Sequence, residues 1–371
     1  MNMHRPKYHH KARIALAAIM AIMAGGCTQS DEPDPERQPS GSGASVMFGA
    51  YVNGTSASRA YVADIEHLKK TGFGVFASRG DEDYNPDPSG SFTSDFMHNQ
   101  EVVWKAADNG GGTWTYDPVK SWPGSKLSFF AYAPFFSQSA TTGITGVSAA
   151  DSKGAPKVTF VMDGDVDRQT DLLYADTEKT LNLVNAGQVQ FVFKHALSRI
   201  SFKCASDLAL DGSTTVTLNS VSLSSADLAV SGELNLATGA WENLRTEEKK
   251  YTIGKEDFIG GGKVITSADG TTASDLTTDG KYLMIIPSGT TVPVKLTVNY
   301  DVETIDPLLT GGKIKFTNEL TGNTDFNFET GKSYCLTLRL GIKALDISVG
   351  VTEWDTSDNG WVPTPVEKKN N

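Results

Sequence analysis

The sequence predicts an all-β protein. Apolar residues alternate with polar ones at a period of two in many short segments, which is typical of strands with one face in a core. Gly, Ser, Thr, Asn and Asp recur between these segments, and convincing helical stripes are few. Roughly 345 residues follow the N-terminal segment described next, a length that indicates two domains. The clearest alternating segments are VQFVF, VTLNSVSL, LAVSGELNL, VKLTVNY, IKF, FNF and LTLRL.

The N-terminus is expected to be a lipoprotein signal peptide, residues 1–26. Four basic residues precede an apolar run at 14–24, which is too short to span a bilayer but suits a signal peptide. The run ends in AGGC, which matches the lipobox in which the cysteine thiol accepts a diacylglycerol. We therefore expect lipidation at Cys27, which makes the outer membrane a partner through a lipid anchor. An ordinary signal peptide with an incidental cysteine is the alternative.

Residues 27–45 are expected to form a flexible tether, rich in Pro, Ser and Gly. The acidic stretch QSDEPDPE within it resembles the signal that sends lipoproteins to the outer face of the outer membrane, although many linkers look the same. The predicted location is therefore the cell outer membrane, lipid-anchored and exposed at the surface. The net charge of −11 argues against a nucleic-acid partner, because such a surface repels phosphates.

Two cysteines remain after lipidation, too few for a disulfide scaffold. Cys204 shares a strand face with Ile200 and Phe202, whereas Cys335 lies opposite to the neighbouring leucines. Cysteines on opposite faces do not form a bridge unless a bulge intervenes. We expect two free thiols.

The pattern also predicts three local features. YVADIEHLKKTG favours a short helix, with Ile65 and Leu68 at helical spacing and Gly72 as its stop. VVWKAADNGGGTWTYD favours a hairpin in which Trp104 faces Trp114 and Tyr116. The phase of alternation changes around residues 198–199 and again between Leu218 and Val221, and each change predicts a β-bulge within one strand.

No motif for catalysis is present, and we expect that the protein is not an enzyme. GxSxG is absent, and GGGK at residues 260–263 lacks the remainder of a phosphate loop. His67, His98 and His195 lack the spacing of metal ligands, and His195 is expected to be an interior, hydrogen-bonded side chain. No cofactor or metal is predicted. A glycan-processing enzyme would need two facing carboxylates, which the sequence does not indicate.

Two binding alternatives remain open. Asp163, Asp165 and Asp167 alternate like the start of a calcium loop, but the glycine and the final glutamate of such a loop are missing, so a solvated loop is favoured. Four aromatic residues could form a platform for sugars, although their alternation with polar residues favours core packing. These aromatic residues are Trp104, Trp114, Tyr116 and Trp122.

Four further segments together resemble the fimbrillin family, the lipoprotein pilins of Bacteroides-type bacteria. They are SWPGSKLSFFAYAP, DLLYA, VQFVFKHALSRISF and LDISVGVTEWDTSDNGW. The resemblance runs from about Val46 to Trp361 and implies two tandem transthyretin-like β-sandwich domains. We place these domains at residues 46–184 and 185–362, followed by a polar tail at 363–371.

The resemblance also implies a mechanism of assembly. In this family a trypsin-like protease cuts after an arginine that follows the first strand, and a strand from another subunit then fills the vacated groove. Here the first strand is SVMFGAYV, with Val46, Phe48 and Ala50 on one face. The scissile arginine is predicted to be Arg59, in the loop-like SASRAYV; Arg37, in the tether, and an ordinary surface role for Arg59 are the alternatives.

The functional hypothesis is a fimbrial subunit, a surface lipoprotein that polymerises by protease-triggered strand exchange and mediates adhesion. Its expected partners are other pilin subunits and a host or bacterial surface ligand. The alternative is a monomeric surface lipoprotein that binds polysaccharide. Pro363 and Pro365 disfavour a donor strand in the last residues, whereas LDISVGVTEW remains a candidate. Shaft, anchor and tip roles all stay open.

Overall fold

In the part of the chain that the structure describes, the strands form three sheets around two cores. A computed structural model describes residues 44–52, 64–80, 93–108, 110–137, 140–176, 188–206, 213–262, 264, 273–277, 281–306, 308, 312–340, 345–354 and 364–365. The strands are β1 Met47–Val52, β2 Phe73–Gly80, β3 Met97–Ala106, β4 Gly112–Thr115, β5 Lys126–Ala133, β6 Gly143–Val147, β7 Lys157–Val161, β8 Leu173–Asp176, β9 Gln188–His195, β10 Ser198–Ser206, β11 Thr214–Asn235, β12 Trp241–Gly254, β13 Ser274–Asp275, β14 Leu283–Ile285, β15 Thr291–Ile305, β16 Lys313–Asn327, β17 Lys332–Leu340, β18 Leu345–Glu353 and β19 Thr364–Pro365.

The first sheet has seven strands in the order β1-β9-β8-β5-β2-β3-β4. Its two ends, β1 and β4, lie close together, so the sheet wraps around its own apolar core. The other face of β2 and β5 presents Phe76, Phe130 and Tyr132 to the second core. Both faces of these central strands are therefore buried, which explains their nearly continuous apolar sequences.

The second core lies between two six-stranded sheets that form a β-sandwich. One sheet has the order β13-β10-β17-β18-β19 with β14 beside β10, and the other has the order β16-β15-β11-β7-β6 with β12 beside β11. Alternate residues of the long strands point inward, as in Val292, Val294, Leu296 and Val298 of β15. The predicted all-β class and sandwich architecture are confirmed.

The short helix and the hairpin are also confirmed. Helix α1 spans Ile65–Thr71; the Asp64 carboxylate accepts a hydrogen bond from the His67 N–H at its start, and Gly72 ends it at a φ of 64°. Trp104 of β3 pairs with Trp114 of β4, with ring centroids 5.2 Å apart. Both features depend on neighbours in sequence, which explains why the pattern was sufficient to predict them.

One predicted bulge is confirmed and the other is wrong. The register between β11 and β15 shifts between Leu218 and Ser220, as expected. The change of phase near Ser198 has a different cause: β9 ends at His195, and β10 begins at Ser198 in another sheet. A chain that crosses from one sheet to the next changes which side faces the core, and so it breaks the alternation as a bulge does.

Sheet membership does not follow the chain order strictly. The β6–β7 hairpin joins β11 in the sandwich, whereas β9 joins the first sheet through parallel pairing with β1. The placement of a domain boundary at residue 184 stays a prediction.

Candidate functional site

Strand β1 lies at one end of the first sheet and is the part of the predicted site that the structure describes. All six of its residues pair with β9 in parallel register, from Met47 opposite Gln188 to Val52 opposite Phe193. This pairing joins segments about 140 residues apart in sequence. In this sheet β1 is the end strand, and β9 is its neighbour. Removal of β1 therefore leaves one edge of β9 without a strand partner.

The chain just before β1 is held on the opposite side by the segment that follows β4. The Val46 N–H donates to the Lys120 carbonyl and the Trp122 N–H donates to the Ala44 carbonyl, each at 2.8 Å. The Tyr116 hydroxyl donates to the Val46 carbonyl at 2.9 Å. We call the space that β1 fills between β9 and residues 116–122 the β1 groove.

The inward face of β1 is buried as predicted from its alternation. Val46, Phe48 and Ala50 are 1%, 1% and 7% exposed. The three side chains belong to the apolar core of the first sheet. Burial of apolar surface is favourable by about 25 cal/mol per Å², so these three side chains stabilise the strand in its position.

Phe48 occupies a pocket made of four other aromatic rings. Its ring centroid lies 5.2 Å from that of Tyr116, 5.7 Å from Phe191, 5.9 Å from Phe129 and 6.5 Å from Phe73. Most of these pairs have edge-on or tilted geometry, which aromatic quadrupoles favour. The pocket is therefore shaped for a ring at this position of the strand.

Tyr116 contacts β1 with both its ring and its hydroxyl. Burial raises the pKa of this hydroxyl above its usual value, against a smaller opposing effect of the hydrogen bond with the Lys120 backbone. The group is neutral across the physiological range, so it retains the proton that it donates to the Val46 carbonyl. The sequence predicted Tyr116 as a core aromatic, but nothing in the sequence links it to a strand 70 residues earlier.

The outward face of β1 is apolar and open to solvent. Met47 and Tyr51 are 51% and 62% exposed. Between them Gly49 lies beneath the side chain of Gln190, its register partner on β9. The Gln188 side chain donates to the Phe48 carbonyl at 2.5 Å and accepts from the Gln190 amide at 2.7 Å. Two glutamines of β9 thus contact the backbone of β1 on its outward face.

The other predicted site residues of this mechanism, Cys27 and Arg59, lie outside the described residues, as does Arg37. Their roles stay predictions. Among the described residues, no helix is long and apolar enough to cross a membrane.

The aromatic residues considered as a sugar platform lie mostly in the core. Trp114, Tyr116 and Trp122 are buried, and Trp104 is partly buried against the same cluster. A stacking platform needs an open ring face, so these residues are core side chains, as their alternation favoured.

The aspartates considered as a calcium loop are engaged within the protein. The Arg168 guanidinium donates to both oxygens of the Asp163 carboxylate, which also accepts from Thr142. The hydrogen bond with Arg168 is the largest influence that lowers the pKa of Asp163. Asp165 accepts from the Asp167 N–H, and Asp167 pairs with Lys281. The predicted solvated loop therefore fits Asp165 and Asp167, which are exposed, but not Asp163, which is buried and hydrogen-bonded within the protein.

The remaining polar predictions concern His195 and the two cysteines. His195 is buried, with Nδ1 2.7 Å from the Asp171 carboxylate, and it stacks on Trp354 at 4.3 Å between centroids. The interior, hydrogen-bonded histidine is confirmed. Neither Cys204 nor Cys335 forms a disulfide, and burial raises the pKa of the Cys204 thiol to about 12, which disfavours its thiolate form at neutral pH.

The family of the chain follows from a comparison of its sequence with known protein families. A fimbrillin-like family profile matches residues 58–354. The protein belongs to the fimbrillin-like family. The resemblance to the fimbrillin family is therefore confirmed. No curated protein gives a significant match.

One solved structure supports the fold. A fimbrial protein from Bacteroides vulgatus superimposes with a TM-score of 0.65 at 22% identity, over 83% of this chain and 99% of that one. A candidate cell adhesion protein from Bacteroides uniformis matches with a TM-score of 0.45 and 19% identity, over 84% of this chain and 99% of that one. The first superposition shows that the two chains share a fold.

Proposed function

We propose that this member of the fimbrillin-like family is a surface-anchored fimbrial subunit that assembles by exchange of β1 for a strand of another subunit. The observation that supports the proposal best is the position of β1. It lies at the end of a sheet, yet its inward side chains are buried, its backbone pairs with β9, and the residues just before it are hydrogen-bonded to the segment that follows β4.

Removal of such a strand has a defined physical consequence. The backbone N–H and C=O groups of β9 lose their partners, and the ring pocket of Phe48 opens to water. Buried backbone groups require partners, and exposed apolar pockets favour association. An extended segment that adds to β9 satisfies both needs at once, which is the basis of β-strand addition.

The same geometry supplies a reason for control by proteolysis. While β1 is attached it fills its own groove, so subunits do not polymerise early. A cut after Arg59 separates β1 and the lipidated Cys27 from the rest of the chain, because both precede the cut. In this proposal the lipid holds the precursor at the outer membrane until that cut, and adhesion is a property of the assembled fimbrium.

The test is a matched pair of variants in the producing cell, Arg59→Ala and Arg37→Ala. We expect Arg59→Ala to accumulate as a full-length lipidated precursor without fimbriae. Arg37→Ala should assemble normally, since the strand after residue 37 is still removed by the later cut. Normal fimbriae from Arg59→Ala would contradict the assignment of the cleavage site. Incorporation of radiolabelled palmitate into the wild type, but not into Cys27→Ala, tests the anchor separately.

A further inference from the structure

The β1 groove contains two neighbouring features that discriminate between strands of different sequence. One is the ring pocket around Phe48, and the other is the Gln190 side chain above Gly49. They contact adjacent residues of the strand from opposite faces. Together they make the fit of a strand depend on two adjacent residues, and not only on a general alternation of apolar and polar residues.

We propose that the β1 groove selects a strand with an aromatic residue followed by glycine, and that Gln190, held by Gln188, fixes the register of that strand. This inference rests on the proposed function, since it specifies which segment of another subunit replaces β1. The partner is accordingly a second subunit whose inserted segment carries an aromatic-Gly pair in parallel alignment with β9.

The aromatic half of this preference follows from the composition of the pocket. Four rings surround Phe48 at centroid distances between 5.2 and 6.5 Å. An aliphatic side chain would lose the edge-to-face interactions and leave part of the space empty, and alanine would leave most of it empty. The flanking inward positions hold the smaller side chains of Val46 and Ala50. The position of Phe48 therefore contributes most to the apolar contacts of the strand.

The glycine half follows from the space above Gly49. A β-carbon on this residue would lie 2.6 Å from the Cδ atom of Gln190, so the glutamine side chain must move. Movement breaks its hydrogen bond to Gln188, which in turn holds the Phe48 carbonyl. Because the glutamine is flexible, we expect a penalty smaller than that of losing the ring.

Register selection is the consequence of combining the two features. A strand shifted by one residue exchanges its inward and outward faces. A shift by two residues would place Tyr51 or Met47 of β1 beneath Gln190 instead of Gly49, and Ala50 or Val46 in the ring pocket. Both alternatives lose the ring and displace the glutamine, so one alignment is preferred.

The test is binding of labelled peptides to the full chain after its own β1 has been released. A recognition site for a sequence-specific protease is introduced between residues 53 and 63, so the outcome does not depend on Arg59. The cut protein is incubated with fluorescent peptides based on ASVMFGAYV, and exchange is followed by fluorescence anisotropy. Peptides with the substitutions Phe48→Ala, Phe48→Leu, Gly49→Val and Met47→Ala are compared.

We expect about 100-fold weaker binding for Phe48→Ala and about 10-fold for Phe48→Leu, from the lost ring contacts. Gly49→Val should weaken binding about 5-fold on the wild type and less than 2-fold on the Gln190→Ala protein. Met47→Ala, which changes an exposed side chain, should bind within about 2-fold of the original.

Two failures are distinguishable. If the original peptide binds but the Phe48 and Gly49 variants bind equally well, the selection rule is wrong while strand exchange stands. If no peptide enters the cut protein, strand exchange itself is contradicted, and the rule with it. If Gly49→Val weakens binding equally on the wild-type and Gln190→Ala proteins, Gln190 does not select glycine. In that case only the ring pocket discriminates between strands.

Discussion

Strands β1 and β16 both lie at the end of a sheet, but they are held in different ways. β16 is 15 residues long and pairs with β15 along its whole length, yet most of its side chains are exposed, including Phe316 at 61%. β1 has six residues, and its inward side chains are almost fully buried. The comparison shows that an edge strand contributes to the core through burial of its inward face. The number of residues that it pairs with its neighbouring strand does not decide this contribution.

Truncation of one phenylalanine in each strand tests this difference most strongly. Phe48→Ala should lower the free energy of unfolding of the full chain by about 3–5 kcal/mol, because it leaves a cavity among four rings. Phe316→Ala should change it by less than about 0.5 kcal/mol, because the ring is mostly exposed. Urea unfolding followed by tryptophan fluorescence measures both. Equal effects would refute the distinction between the two strands.

A second test removes the hydroxyl that joins the far wall of the groove to β1. Tyr116→Phe retains the ring but leaves the Val46 carbonyl without this donor, so we expect a loss of about 1–2 kcal/mol in the same unfolding experiment. Tyr51→Phe is the matched control, since the Tyr51 side chain is exposed. A loss for Tyr116→Phe no larger than that for Tyr51→Phe would show that the hydrogen bond to the Val46 carbonyl does not contribute to stability.

The smallest expected effect concerns the polar attachment of β16. Asp301 of β15 accepts from the Thr317 hydroxyl at 2.7 Å and pairs with Lys315 at 3.0 Å, and these contacts lower its pKa from 3.8 to about 2. A carboxylate whose pKa is lower in the folded state than in the unfolded state stabilises the folded protein at pH values above its unfolded-state pKa. This stabilisation is lost as the pH falls through its folded-state pKa. The contribution should be fully present above about pH 4 and should decline as the pH falls from 4 through 2.

Asp301→Asn should therefore cost about 1 kcal/mol at pH 7, after allowance for the exposed Lys315 partner, and almost nothing at pH 2. Glu303→Gln, which alters an exposed pair with Lys313, is the control and should have little effect at either pH. Unfolding curves at several pH values make the measurement. A difference between wild type and Asp301→Asn that does not change with pH would contradict the assignment.

Sequence patterns predicted those parts of the fold that depend on neighbouring residues. The helix at residues 65–71, the Trp104–Trp114 hairpin and the bulge near Leu218 all follow from local spacing and turn residues. The inward face of β1 was also predicted correctly, because alternation alone identifies Val46, Phe48 and Ala50.

Pairings between distant segments were beyond the reach of such patterns. The parallel partner of β1 is β9, and the wall of the groove comes from Tyr116 and Lys120, which no local signal connects to residue 46. The crossing from β9 to β10 was misinterpreted for the same reason: a break in phase does not reveal whether the next residues stay in the sheet. Tertiary packing decides between these outcomes.

The most direct measurement of the central claim is limited trypsin treatment of the purified soluble precursor, with the new N-terminus and the particle mass determined together. We expect a start at Ala60, loss of the β1 fragment and SDS-resistant multimers. A stable monomer that retains β1 after cleavage at that point would contradict it.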